Sequence, residues 1–274
     1  MRSKGFLLYI SFLITMSAII LFPIVIMVSS SLKPEEEIYS VPPKLFPENV
    51  TFEHYFNLFA HFNFGAYTLN SMTIAFFTAL LSTILGTFAS YGFSRFKFKG
   101  SDKILFFILI IRTFTPVALL FPLYLLVRIS GLLDTTLAII LGVTSLQLPF
   151  TIWFMKSFFD EFPKGIEEAA IIDGASYMNV LFKIVLPLSK PAIGVVIIFA
   201  FLAGWGDFIF SLSFSQTPRS MPLTIGIANM LTGYKIYWGE LMAGGTYMAL
   251  VPLMIVIIFQ KYLVRGLVAG AVKA

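Results

Sequence analysis

The chain has 274 residues, of which 58% are hydrophobic and only 12% charged, with 19 bases against 14 acids and a mean hydropathy of +0.90. A soluble domain carries about 25% charged residues, so this composition excludes water as the main surrounding solvent, and the lack of cysteine excludes disulfides, thiolate metal sites and a thiol nucleophile. The net charge of +5 is spread between apolar runs rather than gathered in one patch, which argues against nucleic acid as a partner and fits the loops of a protein in a lipid membrane.

A bilayer core about 30 Å thick takes about 20 apolar residues per helix. The first such run, residues 5–31, carries no charge. Arg2 and Lys4 in front of it also suit a secretory leader, but leader cores span about 7–15 residues and no small-x-small site follows at the right distance, so a retained span is expected. A long segment rich in Pro and aromatics, 33–67, leads to a second span at 70–94. The third follows at 104–127 and the fourth at 135–155. A charged stretch, 156–190, precedes the fifth span at 191–214, and another long segment, 215–245, precedes the sixth at 247–264. The expected fold is all-α: a polytopic bundle of six transmembrane helices forming a single domain over residues 1–274. Lipid gives helices no hydrophobic reason to associate, so the small-residue stripes Ser82-Gly86-Ser90 and Ala200-Gly204 predict close helix contacts, with generic bundle packing as their role.

Orientation follows from Lys and Arg in alternate loops, because cytoplasmic loops retain positive charge. One side holds Arg2, Lys4, Arg95, Lys97, Lys99, Lys103, Lys156, Lys164, Lys183, Lys190, Lys261, Arg265 and Lys273. The other holds Lys33, Lys44, Arg128, Arg219 and Lys235. Both termini are therefore expected in the cytoplasm, with 33–67 and 215–245 outside, facing a partner.

The loop 156–190 combines heavy charge with its own apolar periodicity and predicts two short helices. Pro163 fits a first turn, residues 165–172 continue as helix, Asp173-Gly174 supplies the turn, and Ser176 caps the second helix. On the first helix Ile166, Ala169, Ala170 and Asp173 fall on one side and Lys164, Glu167 and Glu168 on a charged side. A solvated amphipathic helix at the membrane surface is the plain alternative.

Glu168-Ala169-Ala170, Gly174, Ile184 and Leu186-Pro187 stand at the spacing of the EAA loop, and here the chain resembles the permease subunits of ATP-binding-cassette (ABC) importers. The resemblance extends to maltose-type carbohydrate permeases through Ser31-Leu32-Lys33-Pro34, Tyr91-Gly92-Phe93-Ser94-Arg95-Phe96, Arg112-Thr113-Phe114-Thr115-Pro116, Phe121-Pro122-Leu123-Tyr124, Gly131-Leu132-Leu133-Asp134-Thr135, Pro222-Leu223-Thr224 and the tail 266–273. One position departs: Gly206, after Trp205, stands where that family usually shows Asn. The resemblance implies a type I importer permease fold with a cytoplasmic coupling helix, contacting an ATPase through Glu167, Glu168, Ala169, Ala170, Asp173 and Gly174. It further implies a second homologous permease, two ATP-binding subunits that hold ATP and Mg, an extracytoplasmic solute-binding protein, a carbohydrate substrate, and the inner membrane of a bacterium or archaeon.

Arg112 in the third span and Asp207 in the fifth are costly in lipid, about 2.5–3.5 kcal/mol each on insertion scales, so each is expected to face protein or water. Two readings are open: they border a translocation pathway, with Gln147, Trp205 and Asn229 beside them, or they form an internal pair or backbone tether that fixes the bundle. Pro116, Pro122 and Pro149 are expected to interrupt helices around such a pathway. No phosphate-binding G-x-x-x-x-G-K-[ST] loop or catalytic cluster occurs in the sequence, so no cofactor and no catalytic residue are expected in this chain. The open functional alternatives are an ABC permease for a polyol or a glycerol phosphate ester, a stand-alone channel or secondary carrier, and a membrane enzyme or assembly factor; an ATPase dock belongs only to the ABC readings.

Overall fold

A computed structural model describes residues 2–96, 98–231 and 236–269. Lys97, Lys235 and Lys273, counted above for orientation, and the tail residues 270–273 lie outside the described residues. In chain order the helices are α1 (Arg2–Ser31), α2 (Glu35–Ile38), α3 (Glu53–His61), α4 (Phe64–Arg95), α5 (Ser101–Ile111), α6 (Pro116–Ile129), α7 (Thr136–Glu161), α8 (Lys164–Ile172), α9 (Tyr177–Val180), α10 (Leu186–Leu188), α11 (Lys190–Trp205), α12 (Ile209–Phe214), α13 (Leu223–Ala228) and α14 (Trp238–Ala269). A π turn, Leu181–Val185, joins α9 to α10. Among the described residues there is no strand, only an isolated bridge between Leu231 and Ile236.

Four helices, α1, α4, α7 and α14, are long and apolar enough to cross a bilayer singly, and the total rises to six if each of two bent pairs counts as one span. The first pair corrects the expected third span. Instead of one helix with Arg112 near its middle, α5 and α6 meet at 101° around residues 112–115. The cause is Pro116, which has no N–H and crowds the preceding residue out of the helical region; Thr115 accordingly sits at φ −67, ψ 146. The second pair bends by 79° where the α9–α10 segment meets α11. The expected fifth span is also divided, since α11 stops at Trp205 and α12 restarts at Ile209. Pro122 and Pro149, by contrast, lie inside unbroken helices. Both α4 and α14 begin before the apolar runs that announced them, at Phe64 and Trp238.

The chain packs as two compact units, one from residues up to 65 together with 225–253, the other from 66–224 together with 254 onward. In the first, the segment after α1 folds back through polar contacts. Ser31 Oγ meets Tyr55 Oη at 2.8 Å, Lys33 Nζ donates to Lys44 O at 2.5 Å, and His54 Nε2 meets Lys33 O at 2.9 Å. Asn57 then donates to Glu240 at 3.1 Å. Phe59, Phe64 and Tyr247 pack edge to face beside them, with ring centroids 5.3–5.9 Å apart.

The second unit has two apolar cores. One joins Ile74, Val127, Ala138, Ile139, Ile140, Val143, Phe210 and Phe214; the other joins Tyr91, Met155, Phe159, Val180, Leu181, Val185, Ala192 and Val196. The small-residue stripes let the helices approach. A Cβ on Gly86 would strike Thr151 of α7, and one on Gly204 would lie 2.8 Å from Ala75 Cα of α4.

Candidate functional site

The segment between α7 and α11 is built as the spacing requires. Pro163 (φ −59) precedes α8, and Asp173 closes it by donating its N–H to Ala169 O at 3.0 Å. Gly174 then takes φ +87, a conformation other L-residues rarely adopt, with no neighbour in reach of a Cβ. Ser176 Oγ accepts the N–H of Asn179 at 3.3 Å and starts α9.

The faces of α8 differ from the expected division. Glu167 does not share a charged outer side with Lys164 and Glu168; it is buried, while Ile166, Glu168, Ala169 and Asp173 are exposed and Ile172 is 85% exposed. Ala170 and Ile171 pack on the core formed with α7 and α11. The reason is a partner that charge counting treats only as a topology marker: Arg95, the last residue of α4. Its Nε lies 2.9 and 3.0 Å from the two Glu167 oxygens and its Nη2 lies 2.5 Å from Oε1. Tyr91 Oη donates to the same carboxylate at 3.1 Å. A buried carboxylate is tolerable when paired and fully hydrogen-bonded, so the acid turns inward and two isoleucines are left outside.

The polar residues of the membrane segments do not form one cluster. Arg112 sits at the bend between α5 and α6, its guanidinium 4.6 Å from the centroid of Phe150 on α7. Asp207 lies in the turn between α11 and α12, where its carboxylate accepts the N–H and the hydroxyl of Ser211, both at 2.8 Å. The Arg112–Asp207 pair considered above is therefore replaced by two separate local tethers. Asp207 does border a cavity of about 290 Å³, together with Pro116, Val143, Leu146, Gln147, Ala203 and Phe208 to Phe210. The Gln147 amide nitrogen is buried there without a hydrogen-bond partner. Trp205 is buried and stacked on Phe201, rings 12° from parallel, outside the cavity wall. Asn229 is an exposed residue just past α13, in the first unit.

Two further residues hold loops that local sequence pattern does not single out, Arg95 and Asp134; their only sequence signals are a base at the end of an apolar run and an acid after a glycine turn. Asp134, at φ +60, accepts hydrogen bonds from Ser220 Oγ, Thr217 Oγ1 and the N–H groups of Gln216 and Thr217, at 2.5–2.9 Å. Burial pushes its carboxyl pKa up, but these donors outweigh it and hold the value well below the ordinary carboxylate range.

Known proteins share both sequence and fold with this chain. It is 33% identical over 264 residues to the trehalose/maltose transport system permease protein MalG of Thermococcus litoralis, covering 95% of this chain and 94% of that one. It is 33% identical over 262 residues to the galactooligosaccharides transport system permease protein GanQ of Bacillus subtilis, covering 94% and 92%. Its fold matches a chain of a bacterial ABC transporter that imports the acidic polysaccharide alginate, with a TM-score of 0.82, 23% identity and coverage of 95% and 96%. The family model for the binding-protein-dependent transport system inner membrane component matches residues 82–269, which takes in α8 and both bends. With more than half of its length matched in this way, the chain belongs to that family of multi-pass inner-membrane transport components.

Proposed function

We infer that the chain is the permease subunit of an ABC importer that moves a sugar or oligosaccharide, delivered by an external solute-binding protein, into the cytoplasm. A second permease pairs with it, and two ATP-binding subunits, which hold ATP and Mg, drive it. The single observation that supports this most is α8: a short helix that turns its one buried carboxylate to the spans and leaves Ile166, Glu168, Ala169 and Ile172 exposed for a partner. The family is defined by dependence on a binding protein, and both relatives described above are named for sugars. Both termini lie in the cytoplasm on this reading, and the chain performs no covalent chemistry. Closure of the ATPase pair would draw the coupling helices together and rock the spans from inward-facing to outward-facing. The cavity at Gln147 and Asp207 offers an amide and a carboxylate to hydroxyl groups along the path.

The test is uptake of labelled maltose, trehalose and galactobiose by the intact complex carrying Glu168→Lys or Gly174→Asp. Both variants should insert and assemble, while uptake of the transported sugar falls by about tenfold, within the usual range of allosteric coupling. Unimpaired uptake in both, or failure of any ATP-binding subunit to co-purify with the parent chain, overturns the reading.

A further inference from the structure

Successive residues of an α-helix point about 100° apart, and here Glu167 is buried while Glu168 is exposed. The two carboxylates of α8 therefore have different tasks, and that of Glu167 is legible in its contacts. Arg95 grips it with a two-nitrogen fork, and both side chains are almost wholly shielded, at 8% and 6% exposure. A fork fixes orientation as well as distance, whereas a lone exposed pair slides because water competes for both charges.

The contact does not end at two residues. Tyr91, one turn earlier on α4, donates to Glu167 and packs its ring edge to face on Phe159 of α7, 5.8 Å between centroids. Arg95 Nη1 donates to Ser94 Oγ at 2.7 Å, Ser94 donates to Asp160 Oδ1 at 2.5 Å, and Lys156 Nζ donates to Asp160 Oδ2 at 2.6 Å. Two bases and two acids thus form one neutral network that ties the last turn of α4 and the last turns of α7 to the middle of α8. Beneath it, Ala170 and Ile171 rest on the apolar core that Tyr91 and Phe159 share. A helix held by an oriented ion pair on one side and packed side chains on the other has little freedom to slide or roll.

We propose that Arg95 and Glu167 are positioning residues that lock α8 to the ends of α4 and α7, so that any displacement of α8 passes to both helices without slack. Glu168, one residue on, is left to meet the partner. The proposal rests on the coupling role given to α8 above.

This chain carries no native thiol, so with partner subunits whose cysteines have been replaced the two introduced thiols are the only labels. Lys164→Cys on α8 and Phe96→Cys just past α4 are exposed positions outside the network. Their distance is measured by double electron–electron resonance in the complex purified with its ATP-binding subunits, once without nucleotide and once trapped with MgATP and vanadate. In the parent the distribution should be narrow and should shift by less than about 2 Å between states, against the about 5 Å of a one-turn slip. In Glu167→Gln, which keeps the shape and loses the charge, it should broaden and become dependent on the nucleotide state. A larger shift in the parent overturns the proposal, as does an assembled Glu167→Gln complex that keeps the parent's distribution. Should Glu167→Gln fail to assemble, the parent measurement decides alone. Failure of the proposed function reads differently, as the lack of any ATP-binding subunit in the purified complex.

Discussion

Asp134 shows how much one residue fixes in the loops of this chain. Its backbone N–H donates to Phe214 O at 2.8 Å while its carboxylate collects four donors from residues 216–220. The segment after α12 is thereby pinned to the start of α7. Asp134→Asn removes the charge and turns one acceptor into a donor that faces other donors, which should destabilise the protein by about 1 kcal/mol, the low end for such a loss because the site is partly open to water. The pH dependence has a definite sign. The folded-state pKa is depressed, so the stabilisation is complete above the unfolded value of about 3.9 and is lost as pH falls through the lower folded value. Thermal unfolding in detergent should give a parent-to-variant difference that is constant from pH 7 to 5 and shrinks only below about pH 4. A difference that changes between pH 7 and 5 would show that another group carries the effect.

At the scale of elements, what the sequence reveals depends on whether the decisive contact is local. The turn at Gly174, the cap at Ser176 and the small-residue stripes are legible because each is set by residues a few positions apart. The bends are partly legible: Pro116 announces the corner between α5 and α6, yet Pro122 and Pro149 carry the same local signal inside continuous helices. The inward turn of Glu167 was hidden, because its partner Arg95 is 72 positions away and because helical periodicity counts a carboxylate as outward-facing. The early start of α14 was hidden for a related reason: Glu240 accepts from Asn57, so a polar residue sits in helix where hydropathy alone ends it. The stripes themselves can be tested. On Gly204→Ala the new Cβ meets backbone, Ala75 Cα at 2.8 Å and Ile74 O at 3.1 Å, which cannot yield as a side-chain tip can. Overpacking of this kind costs about 1–3 kcal/mol. Gly92→Ala meets nothing within 4 Å and gains helix propensity. Fluorescence-detected size exclusion after heating should rank Gly204→Ala below the parent and Gly92→Ala at or above it; equal melting of the two variants would mean that α11 and α4 do not approach as described.

For the whole molecule the governing question is which ends of the spans face the cytoplasm. The apolar helices make the chain a membrane protein in either orientation, and the fold alone is indifferent to the choice; the distribution of bases and the coupling role proposed for α8 both favour α8 on the cytoplasmic side. Lys156, Lys164, Lys183 and Lys190 lie in or beside α8 along the chain and Arg95 is bonded to it, whereas 33–67 carries Lys33, buried and bonded to Lys44 O, and Lys44, paired with Glu48 at 2.6 Å. Since no native cysteine interferes, single substitutions at two exposed positions, Asn49→Cys in the first unit and Lys164→Cys on α8, read the orientation directly. In intact cells a membrane-impermeant maleimide should label Asn49→Cys and leave Lys164→Cys untouched until the membrane is opened. The reverse pattern would place α8 on the side where no ATP is hydrolysed, and the same exposed isoleucines would then have to meet a partner outside the cell.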